Sequence, residues 1–299
     1  NSIRVRILKA LLKPLFNQRR NIQAKNEKLL QIYSEENDSL ININDINPIN
    51  KADGSIAIHI HIFYADLINE FVSYLQNMPF KFDLFISVVD EKTFKLCSKS
   101  FRNISFCKNI TIKIVPNRGR DIAPFFCAFG SELRSYTYIA HFHSKKSLYN
   151  KGATTGWRKY LCNSLIGSKD QIRRIFSLLR NENNYGMVYP QNYYVLPYFA
   201  NTWLANRGLG IIWCNRIGIR NIPEGYFNFP TGSMFWARTD ALEPLFNAKI
   251  KIEDFPQESG QTDGTLAHCL ERLLALCPQK MGMRLGIRKD SQHISWSSW

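Results

Sequence analysis

The sequence predicts an α/β protein whose doubly wound, mostly parallel sheet is flanked by helices and preceded by an N-terminal helical arm. From residue 55 onward, short β-branched runs alternate with segments of helical periodicity, which is typical of parallel strands joined by crossover helices. The 299 residues, 45% of them hydrophobic, are enough to bury a large core. The sequence contains no apolar run long enough to span a bilayer.

Four strands are expected first, at residues 56–64, 83–89, 110–116 and 137–143. The helices between them are expected at residues 65–78, 91–101 and 121–133. Pro124 falls in the first turn of the third helix, where proline is tolerated. Asp121 is expected to cap that helix, although its carboxylate could instead accept a ligand hydroxyl. Further along, residues 187–191 predict a strand and residues 263–276 a helix.

Ligands of such sheets bind outside the carboxyl ends of the strands. Tyr64, residues 117–121 and residues 143–146 are expected there. Arg118 and Arg120 suit phosphate oxygens, and the N–H groups of a turn at Gly119 attract anions. Lys145 and Lys146 follow the fourth strand and add two positive charges. The pattern favours an anionic ligand such as a diphosphate, although a solvated loop would also explain the lysines.

Two pairs of histidines have i, i+2 spacing in strands, namely His59 with His61 and His141 with His143. Side chains at this spacing share one face of a strand. If the first and fourth strands are neighbours, the four imidazoles cluster as neutral core residues or, alternatively, as a metal site at His141 and His143. A divalent metal is possible but not favoured, because catalytic sites usually include a carboxylate or an open position.

Residues 1–36 combine helical apolar spacing with a cationic face. This arm is expected either to lie on an anionic membrane or to pack on the remainder of the protein or on a partner subunit. Residues 37–54 are polar and rich in Asn, and they are expected to form a linker. The chain begins with Asn rather than Met, so it could be part of a longer protein.

The formal charge of +15 and pI of about 9.5 favour an anionic partner. Nucleic acid is not expected, because the basic residues do not alternate with aromatic ones and no nucleic-acid-binding motif is present. The seven cysteines are odd in number and include no C-x-x-C pair. Free thiols in a reducing cytoplasm are therefore expected, rather than disulfides or a zinc site.

Five motifs occur in a fixed order along the chain: NRGRDIAPFF (117–126), YIAHFHSKKS (138–147), GWRKYLCNSLIGS (156–168), FPTGSMFWAR (229–238) and QTDGTLAHCLERLL (261–274). With these motifs, residues 56–299 resemble the rhamnan synthesis F family of bacterial polysaccharide glycosyltransferases. The resemblance implies a GT-A-like glycosyltransferase domain at residues 55–299. Its nucleotide-sugar-binding half would be residues 55–147, and its acceptor half residues 148–299.

The resemblance also implies a reaction. A hexose or deoxyhexose would pass, with inversion, from a nucleotide diphosphate sugar to a growing lipid-linked polysaccharide such as O-antigen. dTDP-rhamnose and UDP-galactose, in pyranose or furanose form, remain open as donors. The protein would be cytoplasmic, peripheral at the inner face of the bacterial inner membrane, and fused to or partnered with further glycosyltransferase domains. The alternative is a non-catalytic glycan- or lipid-acceptor-binding module of a larger synthase.

The residues expected to bind the donor are Tyr64, Asn117, Arg118, Gly119, Arg120, Asp121, His143, Ser144, Lys145 and Lys146. Those expected on the acceptor side are Trp157, Arg158, Gly232 and Ser233. GT-A enzymes carry an Asp-x-Asp motif where this chain has His141-Phe142-His143. This departure puts their usual divalent metal in doubt, and the lysines that follow could supply the same charge.

An inverting transfer needs a carboxylate to take the proton of the acceptor hydroxyl. Asp263 is the first candidate for this base and Glu258 the second. A helix cap is the alternative role for Asp263, because caps and catalytic groups occupy the same positions at helix starts.

Overall fold

The computed structural model describes residues 39–144, 146, 156–193, 196 and 198–289. The predicted arm (residues 1–36) and Lys145 lie outside this part of the chain. Within it, an eight-stranded sheet has helices on both faces, which confirms the predicted α/β fold. The strands are β1 (Leu40–Ile41), β2 (Ile56–Ile62), β3 (Phe82–Val88), β4 (Cys107–Ile114), β5 (Tyr138–His143), β6 (Tyr185–Pro190), β7 (Phe235–Arg238) and β8 (Arg284–Arg288).

The α-helices pack on both faces of this sheet. They are α1 (Ile68–Leu75), α2 (Glu91–Ser100), α3 (Gly130–Leu133), α4 (Trp157–Ile166), α5 (Lys169–Leu179), α6 (Arg207–Arg216), α7 (Glu243–Asn247) and α8 (Leu266–Lys280). Local capping explains where some of them begin. The Asp90 carboxylate accepts a hydrogen bond from the N–H of Thr93 at the start of α2 (2.7 Å), and Ser168 accepts one from Gln171 at the start of α5.

The strand order is β1-β8-β6-β7-β5-β2-β3-β4. Strand β7 is antiparallel to both of its neighbours, and the other pairs are parallel. The four strands predicted first therefore form the parallel run β5-β2-β3-β4. Because β7 runs against β5, the turn that precedes β7 lies beside the carboxyl end of β5, where His141 pairs with Phe235.

The two faces of β2 contribute to different cores. Ile56, Ile58, Ile60 and Ile62 belong to the core that also contains apolar residues of α1, α4 and α5. The opposite face carries His59 and His61, and Ala57 on this face packs in the core formed with α6 and α8. The alternation of apolar and polar residues along this strand follows directly from its period of two. The histidines are thus inside the protein.

The predicted helix at residues 121–133 is interrupted. A π-helical turn occupies Pro124–Ala128, and α3 begins only at Gly130. Pro124 lacks the N–H that a regular helix would use, and the side chains of Phe125 and Phe126 are both buried. Asp121 makes no cap bond here, so the expected helix cap is wrong. Its carboxylate turns into the protein instead.

The prediction of a polar linker is also wrong for residues 39–54. Leu40–Ile41 pairs in parallel with β8 and so extends the sheet. Ile41 and Ile43 are buried, and the Arg174 guanidinium donates to the backbone carbonyl of Asn44 (2.9 Å). Because residues 39–54 are mostly polar, the sequence pattern did not reveal these two buried isoleucines.

All seven cysteines are free thiols, as the sequence predicts. Burial raises the pKa of the Cys97, Cys127 and Cys269 thiols to about 12. Among the helices of the described residues, none has the length and apolar character needed to cross a membrane.

Two glycines of α6 give a matched test of the packing. A Cβ at Gly210 would lie 2.5 Å from the ring of the buried Trp203, whereas a Cβ at Gly208 would meet nothing within 4 Å. We expect Gly210→Ala to lower the free energy of unfolding by about 1–2 kcal/mol through overpacking. Gly208→Ala should leave the free energy of unfolding unchanged or raise it by at most about 0.5 kcal/mol. Urea unfolding of both variants measures this, and equal effects would contradict the packing of α6.

Candidate functional site

The loops that follow β2 and β5 are joined at the carboxyl edge of the sheet. The Ser144 hydroxyl accepts hydrogen bonds from the backbone N–H groups of Phe63 (2.7 Å) and Tyr64 (2.9 Å). Ser144 itself is buried, and its N–H donates to the carbonyl of His61 (2.9 Å). Ser144 therefore fixes the backbone on which Tyr64 is presented.

Asp121 lies at the centre of the same edge. Its Oδ2 accepts hydrogen bonds from His141 Nε2 (3.1 Å) and from the Ser233 hydroxyl (2.5 Å), and His143 Nε2 lies 3.9 Å away. Burial alone would raise the pKa of this carboxyl, but His143, His141 and Ser233 outweigh it and hold the pKa well below its usual range. Asp121 is therefore an ionised carboxylate inside the protein.

The histidines form a hydrogen-bonded chain that ends at Asp121. Because the carboxylate can only accept, His141 donates from Nε2, and its Nδ1 then accepts from His59 Nδ1 (2.9 Å). His59 Nε2 in turn accepts from the Ser87 hydroxyl (3.0 Å). His61 Nδ1 donates to that same hydroxyl oxygen (2.9 Å). Every bond of the chain is satisfied with neutral imidazoles.

Burial keeps His59 and His61 neutral. It lowers the pKa of His61 to about 4; the charge of Asp121 opposes this shift, and His143 and His141 add to it. Burial also lowers the pKa of His59 well below its usual range, with His141 acting in the same direction. The pairing of β2 with β5 brings all four histidines into one cluster.

The cluster shows no geometry suited to a metal. Within the described residues, no group of three or more His, Cys, Asp and Glu side chains is arranged to hold an ion. His143 Nε2 donates to the carbonyl of Gly232 (2.7 Å), and His141 is engaged by His59 and Asp121. Both of the proposed metal ligands thus make protein hydrogen bonds.

The turn at residues 117–121 is bound to the loop at residues 253–261. Arg118 Nε donates to the carbonyl of Phe255 (2.5 Å), and Arg120 donates to the carbonyl of Gln261. The Gly119 N–H donates to Glu258 Oε1 (3.0 Å). The anion at this amide is thus a side chain of the protein itself. The donor-binding roles of Arg118, Gly119 and Arg120 remain predictions, and Asn117 is exposed beside them.

Two turns at this edge have left-handed backbone. Gly119 and Arg120 have φ of 69° and 54°, and Gly232 and Ser233 have φ of 91° and 51°. A Cβ at Gly119 would lie 2.5 Å from Ala123, so only glycine fits there. Strained backbone of this kind persists where surrounding contacts fix it, and it is frequent at functional sites.

Cationic side chains are also found at the edge. Lys146 Nζ lies 4.8 Å from the centre of the Tyr64 ring and forms an ion pair with Asp66 (2.5 Å). The Asp66 side chain is 63% exposed, so this pair is open to solvent and exchangeable. Lys145 lies outside the described residues.

Asp263 does not cap α8, whose N-cap is Thr265. Its carboxylate instead accepts from the N–H of Ala205 (3.0 Å) and from Asn206 Nδ2 (2.6 Å). Arg272 lies 3.6 Å away. An open groove of about 380 Å³ runs next to it and joins the turn at Arg118 to the start of α8. The lining is Arg118, Leu209, Glu253, Asp254, Phe255, Pro256, Gly264, Thr265 and Leu266.

The residues expected on the acceptor side do not lie together in the structure. Gly232 and Ser233 lie at the centre of the edge, and Trp157 packs against Gly232, where a Cβ would be 3.1 Å from the indole. Arg158 instead forms a two-pronged ion pair with Glu70 of α1 (3.0 and 2.8 Å). Arg158 therefore holds α4 to α1, and its expected acceptor contact remains a prediction.

Two further residues were not expected at the site. Glu271 accepts a hydrogen bond from the N–H of Gly232 (2.6 Å). Ser87 bridges His59 and His61 from the neighbouring strand. A polar residue in the middle of an apolar strand was the signal for Ser87, whereas helix periodicity alone gave none for Glu271.

Comparison with known proteins places these residues in a family. The chain matches the family described as rhamnan synthesis protein F over residues 16–283. Two curated relatives, each named Uncharacterized protein WxcX, come from Xanthomonas campestris pv. campestris strains B100 and ATCC 33913. Each is 30% identical over 170 residues, which is 56% of this chain and 24% of the relative. The chain thus spans about a quarter of their length.

The neutral histidines predict a pH dependence of stability. The pKa of His61 is about 4 in the folded protein and 6.5 in an ordinary environment. A depressed pKa means that its contribution is fully present above pH 6.5 and is lost as pH falls towards 4. The loss is roughly 1.4 kcal/mol per pH unit for each such histidine. The contribution of Asp121 is fully present above its ordinary pKa of 3.8 and is lost only as the pH falls below that value.

The variant His61→Asn separates this effect from general acid unfolding. The asparagine amide keeps a donor near Ser87 but does not titrate. We expect the dependence of the unfolding free energy on pH between 6.5 and 4 to become shallower by about one proton. Urea unfolding at a series of pH values measures the slope, and unchanged slopes would show that His61 is not buried as a neutral group.

Proposed function

Since the chain belongs to the rhamnan synthesis protein F family, whose name places it in polysaccharide synthesis, we propose that it is a glycosyltransferase. It would move a hexose or deoxyhexose from a nucleotide diphosphate sugar to a growing bacterial polysaccharide. dTDP-rhamnose is the first donor to test, and UDP-galactose in either ring form is the second. The acceptor would be lipid-linked, and the protein would act at the inner face of the bacterial inner membrane.

One observation supports this proposal most directly. The groove of about 380 Å³ joins the turn that carries Arg118 to the loop that carries Asp263. These segments lie more than a hundred residues apart, and both fall inside the matched family region. In an α/β sheet, the carboxyl edge is where a ligand is expected. An anionic donor and a hydroxyl acceptor could therefore meet between them.

The reaction needs one bond to form as another breaks. The acceptor hydroxyl oxygen attacks the anomeric carbon of the donor sugar, and the bond from that carbon to the phosphate oxygen breaks. The electron pair leaves with the nucleoside diphosphate, and the hydroxyl proton passes to a carboxylate. Attack from the face opposite the leaving group inverts the anomeric configuration.

Asp263 is our choice for the base. Hydrogen bonds from Ala205 and Asn206 fix its orientation, and the next residue, Gly264, lines the groove. Each carboxylate oxygen has a second lone pair with which to accept a proton. Glu258 is the second candidate, although its Oε1 already accepts from the Gly119 N–H and its Oε2 lies 3.8 Å from Arg120.

Lys146 is our choice for the cation that meets the leaving diphosphate. It stands at the end of β5 over the Tyr64 ring, and its ion pair with the exposed Asp66 can be exchanged for a phosphate. Lys145 is proposed to act beside it. No step of this scheme depends on a divalent ion, and metal dependence is left to direct measurement.

The base assignment predicts the behaviour of Asp263→Asn. We expect transfer to fall by about 10²–10⁴-fold, because the amide cannot take the proton. Thermal stabilisation by UDP or dTDP should persist, because the residues proposed to bind the donor are unchanged. A radiolabelled-sugar transfer assay with a defined lipid-linked acceptor measures the first quantity, and a melting scan the second.

Two controls accompany this variant. Asp170→Asn alters an exposed carboxylate of α5 that pairs with Arg174 in its own helix, and full transfer is expected. Asn206→Ala removes a hydrogen bond to Asp263 but leaves the carboxylate, so only a partial loss is expected. Full activity of Asp263→Asn would eliminate Asp263 as the base, and Glu258→Gln would then be the variant to test. Nucleotide binding without transfer in the parent chain would instead indicate a binding module.

The diphosphate assignment predicts that Lys146→Gln weakens binding of UDP or dTDP by roughly tenfold or more, because a charge-assisted hydrogen bond is lost. Lys92→Gln, an exposed lysine of α2, should leave the affinity unchanged. Isothermal titration at physiological salt measures both. Equal affinities would show that Lys146 does not contact the nucleotide.

A further inference from the structure

Helix α6 and the turn that leads into it expose three large aliphatic side chains. Leu204, Ile211 and Ile212 are 45%, 39% and 61% exposed. Ile211 and Ile212 are consecutive residues of α6, and Leu204 lies in the turn that precedes this helix. Single exposed apolar residues are ordinary, but three large ones within nine residues are typical of a contact surface.

The surroundings of these side chains carry more cationic than anionic groups. Arg207 and Arg216 belong to α6 and Arg220 follows it, and Glu224 pairs with Arg207 (3.6 Å). At the end of α8, Lys280 lies beside the turn that follows α6, since a Cβ at Gly218 would be 3.4 Å from its Nζ. Met281, next to Lys280, is 41% exposed. The face therefore combines aliphatic side chains with a positive rim.

We propose that this surface, formed by Leu204, Ile211, Ile212 and their cationic neighbours, docks on an anionic lipid bilayer. Aliphatic side chains enter the boundary between headgroups and acyl chains, while arginine and lysine meet the anionic headgroups. Arg216, Arg220 and Lys280 carry the positive charge that complements such a surface, whereas Arg207 is paired with Glu224. None of these residues belongs to the segment at residues 1–36.

The surface is linked to the groove by direct contacts. The Asp263 carboxylate binds the backbone of Ala205, one residue after Leu204, and Leu209 of α6 lines the groove. Docking of α6 would therefore bring the mouth of the groove to the membrane. Vesicle binding needs neither donor nor acceptor, so this inference can fail or succeed independently of glycosyl transfer.

A photo-crosslinker tests the contact site by site. p-Benzoylphenylalanine is placed at position 212 of the full chain and, in a matched control, at position 114 on the exposed edge strand β4. Both positions hold an isoleucine that is about half exposed. The protein is irradiated with vesicles of equimolar phosphatidylcholine and phosphatidylglycerol. We expect lipid adducts at position 212 and few at position 114, whatever the arm at residues 1–36 contributes.

Sedimentation with the same vesicles gives the affinity. Ile211→Gln combined with Ile212→Gln should weaken partitioning by about tenfold, and Ile110→Gln combined with Ile114→Gln should not change it. Binding should also weaken in high salt and with pure phosphatidylcholine vesicles. Equal adduct yields at positions 212 and 114, or adducts at position 212 with a second copy of the chain instead of lipid, would overturn the proposal.

Discussion

The carboxylate of Asp121, whose side chain is only 13% exposed, is the constraint on which the carboxyl edge of the sheet depends. An ionised carboxylate is costly to remove from water unless hydrogen bonds and opposite charge surround it. Here the compensation comes from His141 on β5 and from Ser233 before β7, which lie 20 and 112 residues away in the chain. Three separate segments are therefore fixed relative to one another by the requirements of one side chain.

This requirement accounts for the histidines. His141 donates to Asp121 through Nε2, and its other nitrogen accepts the hydrogen that His59 supplies. His59 then needs a donor at its own second nitrogen, and Ser87 provides it. Fully satisfied polar chains of this kind rigidify a core, whereas partly satisfied ones destabilise it. Each polar residue within these strands thus requires the next one as its hydrogen-bond partner.

The sequence predicted what depends on local pattern and missed what depends on distant partners. Strands β2 to β5 and their parallel arrangement followed from β-branched runs and their spacing. Asp121 was expected to cap a helix because Asp is common there, but no local feature revealed Ser233 as its partner. In the same way, Glu258 and Glu271 could not be recognised as partners of turn glycines from helix or loop patterns alone. The small strand β1 was hidden because two apolar residues within a polar segment carry little periodicity.

The two left-handed turns show how the halves of the chain depend on each other. Gly119 and Gly232 each donate a backbone N–H to a glutamate from residues 258–271, namely Glu258 and Glu271. A strained turn costs on the order of 1–3 kcal/mol and persists only where its surroundings fix it. These glutamates supply such contacts, and they occupy amides that would otherwise attract an external anion. A diphosphate at this edge must therefore be met by cationic side chains rather than by these two amides, which is the arrangement that Lys146 offers beside Tyr64.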